Sequence, residues 1–488
     1  MATFSLENFG CRATDADAAA IRRDLLASGL EAVGDHALAE VVVLNTCTVT
    51  AAADSQARDA VRKIHRANPS ARIIVTGCYA QRAPEELAEL AGVAIVVGNS
   101  HQNELAGLVP GLLAVRPCAP ASSTDFFPLA RLGDSMSLAR GPGKILTSDI
   151  FAQIAVQLAP AAVLEAGRTR PILKIQDGCD NRCSYCVIPF VRGGSRSLSP
   201  DAVLESVRRL VAAGAKEIVL SGINLGAYGR DFRPRVELAS VVRRILGETP
   251  LDRLRFSSIE PQDVTEDFVS LAASSRRIAP HFHVPLQSGS DRILRAMHRW
   301  YRTEHYAERI AIIRRHLLDA AIGADVITGF PGESEKDFQS TVDFIERLPF
   351  TYVHVFSFSE RPGTRAEKLS DRVPHAIIRE RARKLRALGE KKAAEFRNAQ
   401  SGRKLRVLTL ARSGDHWTEA LTGNYLKVRV AGCHPANQWC DVRLPRDPSA
   451  IADFTEISGA PTHTSARPAD PLAWPAARES STPAAPLP

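Results

Sequence analysis

Three cysteines stand close together in one short segment, Cys179-Asp-Asn-Arg-Cys183-Ser-Tyr-Cys186. The segment directly follows a predicted strand and is expected to form a loop. Three thiolates at this spacing can bind three irons of a cubic iron–sulfur cluster and leave the fourth iron open. Structural zinc normally takes four protein ligands, and no fourth Cys or His follows nearby in the sequence. The spacing therefore favours a 4Fe-4S cluster over zinc or unreactive thiols.

Three further cysteines, Cys11, Cys47 and Cys78, each directly follow one of three successive predicted strands near the start of the chain. Neighbouring parallel strands end at the same edge of a sheet and lie about 4.8 Å apart, so these thiols are expected to converge. Separate buried thiols are the alternative, because free cysteine is commonly buried. Equivalent positions after three strands favour a second three-cysteine cluster site.

The remaining cysteines, Cys118, Cys433 and Cys440, lack such a context and are interpreted as structural or incidental. The start of the chain has neither a basic segment nor an apolar segment typical of a signal peptide. The longest apolar stretch, 150–164, contains two glutamines and a proline and is shorter than the roughly 20 residues of a membrane span. We therefore expect a cytoplasmic protein without a membrane partner, in which cysteines serve metal or redox chemistry rather than disulfides.

The elements that must position these cysteines follow from length and pattern. A chain of 488 residues is long enough for about three domains, and its 45% hydrophobic and 24% charged residues exclude a mainly disordered, fibrous or membrane-embedded protein. Over residues 1–115 strands alternate with helices, which predicts an α/β domain with a doubly wound parallel sheet that carries the second cysteine site. Residues 116–168 break this pattern and are interpreted as a linker or insertion.

A second alternating block covers residues 169–398. Six units are too few for a complete eight-stranded barrel, so an open, partial (β/α)6 barrel is predicted. Its candidate strands are Ile172–Gln176, Glu217–Ser221, Arg253–Ile259, His281–Leu286, Gly323–Thr328 and Tyr352–Phe358. His281 and His283 alternate along one of these strands, and for both we favour a structural role over metal ligation.

The C-terminal part differs in pattern and in charge. Short strands with glycine turns over residues 399–445 predict a small β-barrel, and the tail 446–488, rich in Pro, Ala, Ser and Thr, is expected to be disordered. Residues 377–443 contain 15 Lys and Arg against 6 Asp and Glu, a net +9, whereas the whole chain has +8. A basic barrel with Trp417 or Tyr425 as a candidate exposed aromatic residue favours nucleic acid as a partner over a merely solvated surface.

The Cys179–Cys186 spacing within a predicted six-unit domain resembles the radical S-adenosylmethionine superfamily. The resemblance implies that S-adenosylmethionine chelates the open iron and is cleaved to a 5′-deoxyadenosyl radical by an electron from the cluster. It also implies cofactor contacts at or near the ends of later strands. The candidates are Gly222, Asn224, Glu260, Gln287, Ser288 and Gly289. Turn geometry explains the two glycines equally well, and Glu260 could instead begin a helix.

The two cysteine sites, the partial barrel and the basic C-terminal barrel together resemble the methylthiotransferases, over about residues 1–115 and 169–445. The stretches most similar to the branch acting on N6-threonylcarbamoyladenosine at position 37 of tRNA are 45–50, 173–179, 285–290 and 354–359. The resemblance implies insertion of a methylthio group at C2 of that base. The cluster of the N-terminal domain would carry the transferred sulfur, which one S-adenosylmethionine methylates, while a second generates the radical that removes hydrogen from C2.

The same resemblance implies two 4Fe-4S clusters, S-adenosylmethionine, a TRAM-like RNA-binding C-terminal domain, the tRNA anticodon loop as substrate, and a reductant protein such as a flavodoxin or ferredoxin. Sister branches modify N6-isopentenyladenosine 37 of tRNA or an aspartate of a ribosomal protein, and both remain alternatives. A non-catalytic iron–sulfur RNA-binding protein and a zinc-binding RNA module are alternatives of another class. The long segment 116–168 departs from the branch, in which this link is usually shorter.

Overall fold

The structure is a computed structural model that describes residues 1–114, 143–152, 169–447, 449–453 and 455–456. Cys118, most of the segment 116–168, most of the tail 446–488 and most of the apolar stretch 150–164 lie outside the described residues. Within the described residues, no helix combines the length and the apolar character that crossing a bilayer requires.

The N-terminal domain is the predicted parallel sheet with helices on both faces, in the strand order β2-β1-β3-β4-β5-β6. Its central strands are buried on both sides, and their residues alternate between two hydrophobic cores: Val42 and Leu44 face one, and Val41 and Val43 face the other. The strands are β1 Thr3–Asn8, β2 Glu31–Ala32, β3 Val41–Thr46, β4 Arg72–Gly77, β5 Val93–Gly98 and β6 Lys144–Leu146. The helices are α1 Arg12–Ala27, α2 Ala51–Ala67, α3 Cys78–Arg82, α4 Pro84–Ala88 and α5 Leu105–Ala114.

The edge strand β6 comes from the segment that the sequence analysis treats as a linker. It pairs in parallel with β5 through residues 95–97 and 144–146. A three-residue strand carries too little periodicity to be recognised from sequence.

The central domain contains six parallel strands, as predicted. β10 and β11 are joined by isolated parallel bridges, Leu254 with Ile278 and Ser258 with His283, so the two hydrogen-bonded sheets continue into one open barrel. The strands are β7 Ile172–Asp177, β9 Glu217–Gly222, β10 Arg253–Phe256, β11 His281–His283, β12 Ala321–Thr328 and β13 Tyr352–Ser357, with the short β8 Arg196–Ser197 antiparallel to β7. The helices are α6 Ile188–Arg192, α7 Pro200–Ala212, α8 Leu238–Glu248, α9 Glu266–Ser274, α10 Asp291–Ala296, α11 Thr303–His316 and α12 Glu335–Arg347.

Capping residues fix the starts of two helices of this domain, α7 and α12. The Ser199 hydroxyl accepts a hydrogen bond from the Ala202 N–H, and Ser334 and Asp337 form a reciprocal capping box at the start of α12. The helices pack on the outer face of the barrel strands in one large hydrophobic core. The inner face is therefore left for polar groups.

The C-terminal domain follows the long helix α13, His375–Gln400, and is a curled, mostly antiparallel sheet with a core of its own. Its strand order is β18-β16-β15-β14-β17-β19. The strands are β14 Lys404–Gly414, β15 Trp417–Thr422, β16 Lys427–Ala431, β17 Trp439–Arg443, β18 Ile451–Ala452 and β19 Thr455–Glu456. β18 pairs with one edge of the sheet and β19 with the other. These two strands lie in the segment that the sequence analysis assigns to a disordered tail, so the boundary at residue 445 is too early; two-residue strands carry too little pattern to be recognised from sequence.

This domain packs against the end of the barrel at which β9, β10 and β11 begin. The fully buried Arg255 pairs with Glu217 and donates hydrogen bonds to the carbonyls of Thr422 and Gly423. The ring of Tyr425 stacks on His281 with 4.3 Å between centroids. Tyr425 therefore lies in a domain contact and not on an open RNA-binding face.

Candidate functional site

The first cysteine group lies where three neighbouring strands of the N-terminal sheet end. Cys11 precedes α1, Cys47 follows β3, and Cys78 is the first residue of α3 directly after β4. Gly10 has φ +133°, and a Cβ at this position would lie 2.6 Å from Cys47 Cβ and 3.2 Å from its Sγ. The loop before α1 can approach Cys47 this closely only because residue 10 is glycine.

The electrostatics show that these thiols are close to one another. Burial, with smaller contributions from the neighbouring thiols of Cys78 and Cys11, raises the pKa of Cys47 to about 12. Burial also raises the pKa of Cys78, which the guanidinium of Arg192 opposes. Without a metal, such thiols stay protonated, whereas thiolate ligation releases the protons and removes the conflict. The donor set thus suits a soft, thiolate-binding metal centre.

The second group lies in the loop after β7. The Cys179 N–H donates to the Gly193 carbonyl at 3.0 Å, and the Cys186 N–H donates to the Cys183 carbonyl at 3.1 Å, so the backbone fixes the loop. Burial raises the pKa of Cys179 to about 11 and that of Cys186 to about 12, and Cys183 contributes to both. The structure therefore brings these three thiols together as well.

Arg299 is a site residue that the sequence analysis missed. Its Nη1 donates to Cys183 Sγ at 3.3 Å, its Nη2 contacts the Glu260 carboxylate, and its guanidinium lies 5.0 Å from the centre of the Tyr301 ring. It follows α10 with no motif around it and is 116 residues away from Cys183. Only the folded chain reveals this contact, which also places Glu260 beside the cysteine loop.

Two other predicted residues, Gly222 and Asn224, reach the cysteine loop through Gln176. The Gln176 Oε1 accepts from the Asn224 N–H at 2.8 Å, and its Nε2 donates to the Gly178 carbonyl, directly before Cys179. A Cβ on Gly222 would lie 2.8 Å from the same Oε1. The side-chain oxygen of Asn224 is buried and has no hydrogen-bond partner among the described residues. It is an acceptor available to a ligand.

The last three predicted cofactor residues lie elsewhere on the strand ends. Gln287 has φ +67°, and its N–H donates to the Asp325 carbonyl. The Ser288 hydroxyl is fully buried, 3.4 Å from that of Thr341, and a Cβ on Gly289 would lie 2.6 Å from Thr341 Cα. Packing against α12 is thus an observed role for Ser288 and Gly289, and cofactor contact remains a prediction.

The two cysteine groups both lie next to the short helix α6, which begins two residues after Cys186. The Asn99 amide lies 3.5 Å from Cys78 Sγ and donates to the Val191 carbonyl at 2.8 Å. Cys78 also packs against Val187 and Val191. Asn99 and α6 therefore form a short bridge between the N-terminal domain and the cysteine loop.

Next to this bridge lies a buried group of four charges. Arg192 donates to Asp17 on α1 at 2.7 Å and to Asp177 at 3.1 Å, and Lys174 contacts the same two carboxylates. Arg192 Nε is buried without a partner among the described residues, and the guanidinium lies close enough to oppose the rise in the pKa of Cys47 and Cys78. These buried charges tie α1 to β7 and α6, next to both cysteine groups.

Comparison with known proteins gives two family matches. Residues 3–98 match the uncharacterized protein family UPF0004, and residues 173–345 match the radical SAM superfamily. The chain is 36% identical to the threonylcarbamoyladenosine tRNA methylthiotransferase MtaB of Aquifex aeolicus, over 88% of this chain and 96% of that protein. It is 34% identical to the Bacillus subtilis protein of the same name, over 88% of this chain and 91% of that protein.

More distant similarities agree with the fold. A tRNA-2-methylthio-N6-dimethylallyladenosine synthase of Thermobifida fusca is 32% identical over 84% of this chain and 78% of that protein. The radical S-adenosylmethionine methyltransferase TsrM of Kitasatospora setae, solved with cobalamin and a 4Fe-4S cluster, superposes with a TM-score of 0.54 at 17% identity, over 75% of this chain and 77% of that one. The latter similarity supports the fold alone.

Proposed function

The chain belongs to the threonylcarbamoyladenosine tRNA methylthiotransferase family of radical SAM proteins, and we propose that it inserts a methylthio group at C2 of N6-threonylcarbamoyladenosine 37 in tRNA. The observation that carries this proposal is that two groups of three cysteines both lie next to the same short helix, α6. A chain that only bound RNA would need no such pair. The family match over most of the chain supports the same reaction.

We propose that Cys179, Cys183 and Cys186 hold the radical SAM cluster and that Cys11, Cys47 and Cys78 hold the auxiliary one. Each triad supplies three sulfur donors, which suits a 4Fe-4S cluster with one open iron. When bound, the clusters and S-adenosylmethionine supply the radical and the sulfur that acid–base side chains cannot.

The surrounding side chains have supporting roles in this proposal. Arg299 places a positive charge beside the Cys183 sulfur and orients Glu260. Asn224 offers its buried side-chain oxygen to an amino group of the cofactor. We also propose that Gly222, Gln287, Ser288 and Gly289 shape the cofactor pocket through their backbone at the ends of the barrel strands. Asn99 and Arg192 hold the N-terminal domain against the cysteine loop.

We further propose that the basic C-terminal domain binds the tRNA, that the anticodon loop enters between the domains, and that a flavodoxin or ferredoxin delivers electrons. Lys427 and Arg429 are exposed on β16, and Arg429 lies 4.8 Å from the centre of the Trp417 ring. Cations next to an aromatic ring are typical of a phosphate- and base-binding surface.

Mass spectrometry of tRNA nucleosides from a deletion strain tests the proposed reaction. We expect 2-methylthio-N6-threonylcarbamoyladenosine to disappear and its unthiolated precursor to accumulate. A plasmid with the wild-type gene should restore the product, and one encoding Cys183→Ala should not. Loss of the methylthio isopentenyl nucleoside instead would assign the chain to the sister branch, and an unchanged nucleoside profile would reject the proposal.

A further inference from the structure

Three metal-ligating side chains meet inside the barrel, apart from the cysteines. His283 on β11, Asp325 on β12 and His354 on β13 come from three adjacent strands, and all their ligand atoms lie within 4.8 Å of one another. His283 Nε2 is 2.9 Å from Asp325 Oδ1, and His354 Nδ1 is 3.2 Å from the same oxygen.

The strand alternation directs these groups towards the interior of the barrel. Their sequence neighbours Phe282, Ala324 and Val326 lie in the large outer core, so His283 and Asp325 point the other way. On β13, Val353 and Val355 pack against that core, which leaves His354 on the inner face. The His354 side chain is 55% exposed, so the cluster can be reached from solvent.

A supporting group fixes the orientation of His283. The Tyr352 hydroxyl lies 3.0 Å from His283 Nδ1 and 2.8 Å from His281 Nε2. With Nδ1 engaged by this hydroxyl, the opposite nitrogen of His283 faces Asp325. Metal-bound histidines usually have such a partner on their second nitrogen, where it sets the ring orientation.

Gly323 makes room for this arrangement. It pairs with both His283 and Tyr352 across the sheet. A Cβ at residue 323 would lie 2.0 Å from the Cζ atom of Tyr352, so the tyrosine ring fits only over a residue without a side chain. The space that glycine leaves is therefore occupied by the group that orients His283.

The donor types also suit a cation. Two imidazoles and one carboxylate are a common ligand set for zinc and for divalent iron, and they leave coordination positions open.

We propose that His283, Asp325 and His354 bind one divalent transition-metal ion, of which zinc is the representative, at a site separate from both cysteine triads. The open coordination positions face the interior of the barrel and accept water or an oxygen ligand. The inference does not depend on which nucleoside is the substrate. It replaces the purely structural role that the sequence analysis favoured for His283, and it adds His354, which no motif singled out as a ligand.

Zinc binding to the full-length, cluster-loaded protein tests the site. The protein is dialysed anaerobically against zinc, passed over a chelating resin, and assayed for zinc, iron and sulfide. We expect about one zinc per wild-type chain and at least a tenfold loss of zinc affinity in His354→Ala and Asp325→Asn, with iron and sulfide unchanged. Because the His354 side chain is more than half exposed, its removal should leave the thermal unfolding profile intact.

His316→Ala is the matched control, because His316 also contacts a carboxylate, that of Glu266, but lies on the outer helical surface without a third ligand of this cluster. It should retain the zinc. X-ray absorption at the zinc edge should show only nitrogen and oxygen ligands at about 2.0–2.1 Å. A wild-type chain without zinc would identify the cluster as a hydrogen-bonded network only. Zinc with sulfur ligands, or zinc retained by both variants, would overturn the site.

Discussion

At the scale of single residues, the two cysteine groups are chemically similar but differ in position. Both are crowded and buried enough to raise thiol pKa values far above the ordinary one, so each gains from thiolate ligation. Cys183 lies beside Arg299 in the loop after the barrel strand β7, and Cys47 follows the carboxyl end of β3 in the N-terminal sheet. This difference separates two steps of the proposed reaction.

Cys183→Ala and Cys47→Ala are expected to separate these steps. Cys183→Ala should abolish reductive cleavage of S-adenosylmethionine, because its sulfur belongs to the proposed radical SAM triad. Cys47→Ala should spare cleavage and block thiolation. Formation of 5′-deoxyadenosine and of the methylthio nucleoside are measured in the same assay. Methylthio product from the Cys47 variant would refute the assignment of the N-terminal triad, and Cys433→Ala, an exposed cysteine outside both triads, is the control.

Arg299→Met should lower S-adenosylmethionine cleavage by about 10- to 100-fold, because a hydrogen bond to a charged group contributes about 1.5–3 kcal/mol. The variant removes the donor to Cys183 and leaves the Glu260 carboxylate without this partner. The reduction potential of the radical SAM cluster, followed by electron paramagnetic resonance, should become more negative as the positive charge is lost. Arg299→Lys should recover part of both effects. An unchanged reduction potential of the cluster would show that Arg299 has a structural role only.

At the scale of elements, the contact between α1 and β7 joins the two cysteine-bearing domains through buried charges. Asp17→Asn leaves Lys174 and Arg192 with one carboxylate fewer in a site without water access. We expect a loss of about 3–5 kcal/mol in the free energy of unfolding, as for other broken buried pairs. Chemical denaturation measures it. Asp267→Asn, which removes an exposed pair with Arg243, should cost less than about 1 kcal/mol, and equal effects of both variants would contradict the argument.

At the base of the barrel, the buried ion pairs of Glu217 with Arg253 and Arg255 make the stability of the fold depend on pH in the acid range. Burial opposes ionisation of Glu217, but Arg253 and Arg255 lower its pKa from 4.5 to about 2. A lowered carboxyl pKa stabilises the fold fully above the unfolded value and loses this effect as pH falls, so the contribution should disappear between about pH 4.5 and pH 2. This contribution to the free energy of unfolding amounts to about 3 kcal/mol. Glu217→Gln should be less stable at pH 7 and should lose less stability than the wild type on acidification, and parallel pH profiles of the two proteins would exclude Glu217 as a cause.

Sequence patterns predict the main elements of this fold but not every side chain of the site. The six barrel strands, the N-terminal sheet and the converging cysteines follow from periodicity and from the rule that parallel strands end at one edge. Arg299, Arg192 and Asn99 could not be found this way. Arg299 and Asn99 reach Cys183 and Cys78 through one side-chain nitrogen each, and Arg192 acts on Cys47 and Cys78 through its charge, which no local sequence pattern predicts. Tyr425, one of the two candidate exposed aromatic residues, packs against the barrel instead, because aromaticity in a basic domain carries no information about which surface the ring meets.

At the scale of the whole molecule, the C-terminal domain both closes the base of the barrel and carries much of the basic charge. Its turn at 422–426 accepts hydrogen bonds from Arg255 and stacks Tyr425 on His281. Deleting the domain would expose buried charges of the barrel. A loss of RNA binding in the truncated protein could therefore come from misfolding of the barrel. Substitutions on its outer face avoid this problem.

Lys427→Gln combined with Arg429→Gln should therefore test tRNA binding without disturbing the domain contact. Both side chains are exposed on β16, whereas the neighbouring Val428 and Val430 form the core. If each cation contacts one phosphate, the slope of log affinity against log salt should become shallower by about 1 for each lost contact. Iron and sulfide contents should stay at wild-type values, and Arg243→Gln on α8, far from the basic domain in sequence and paired with Asp267, should leave the slope unchanged. If the double variant kept the wild-type slope, β16 would not belong to the RNA-binding surface. The net charge of +9 over residues 377–443 would then be ordinary solvated surface charge.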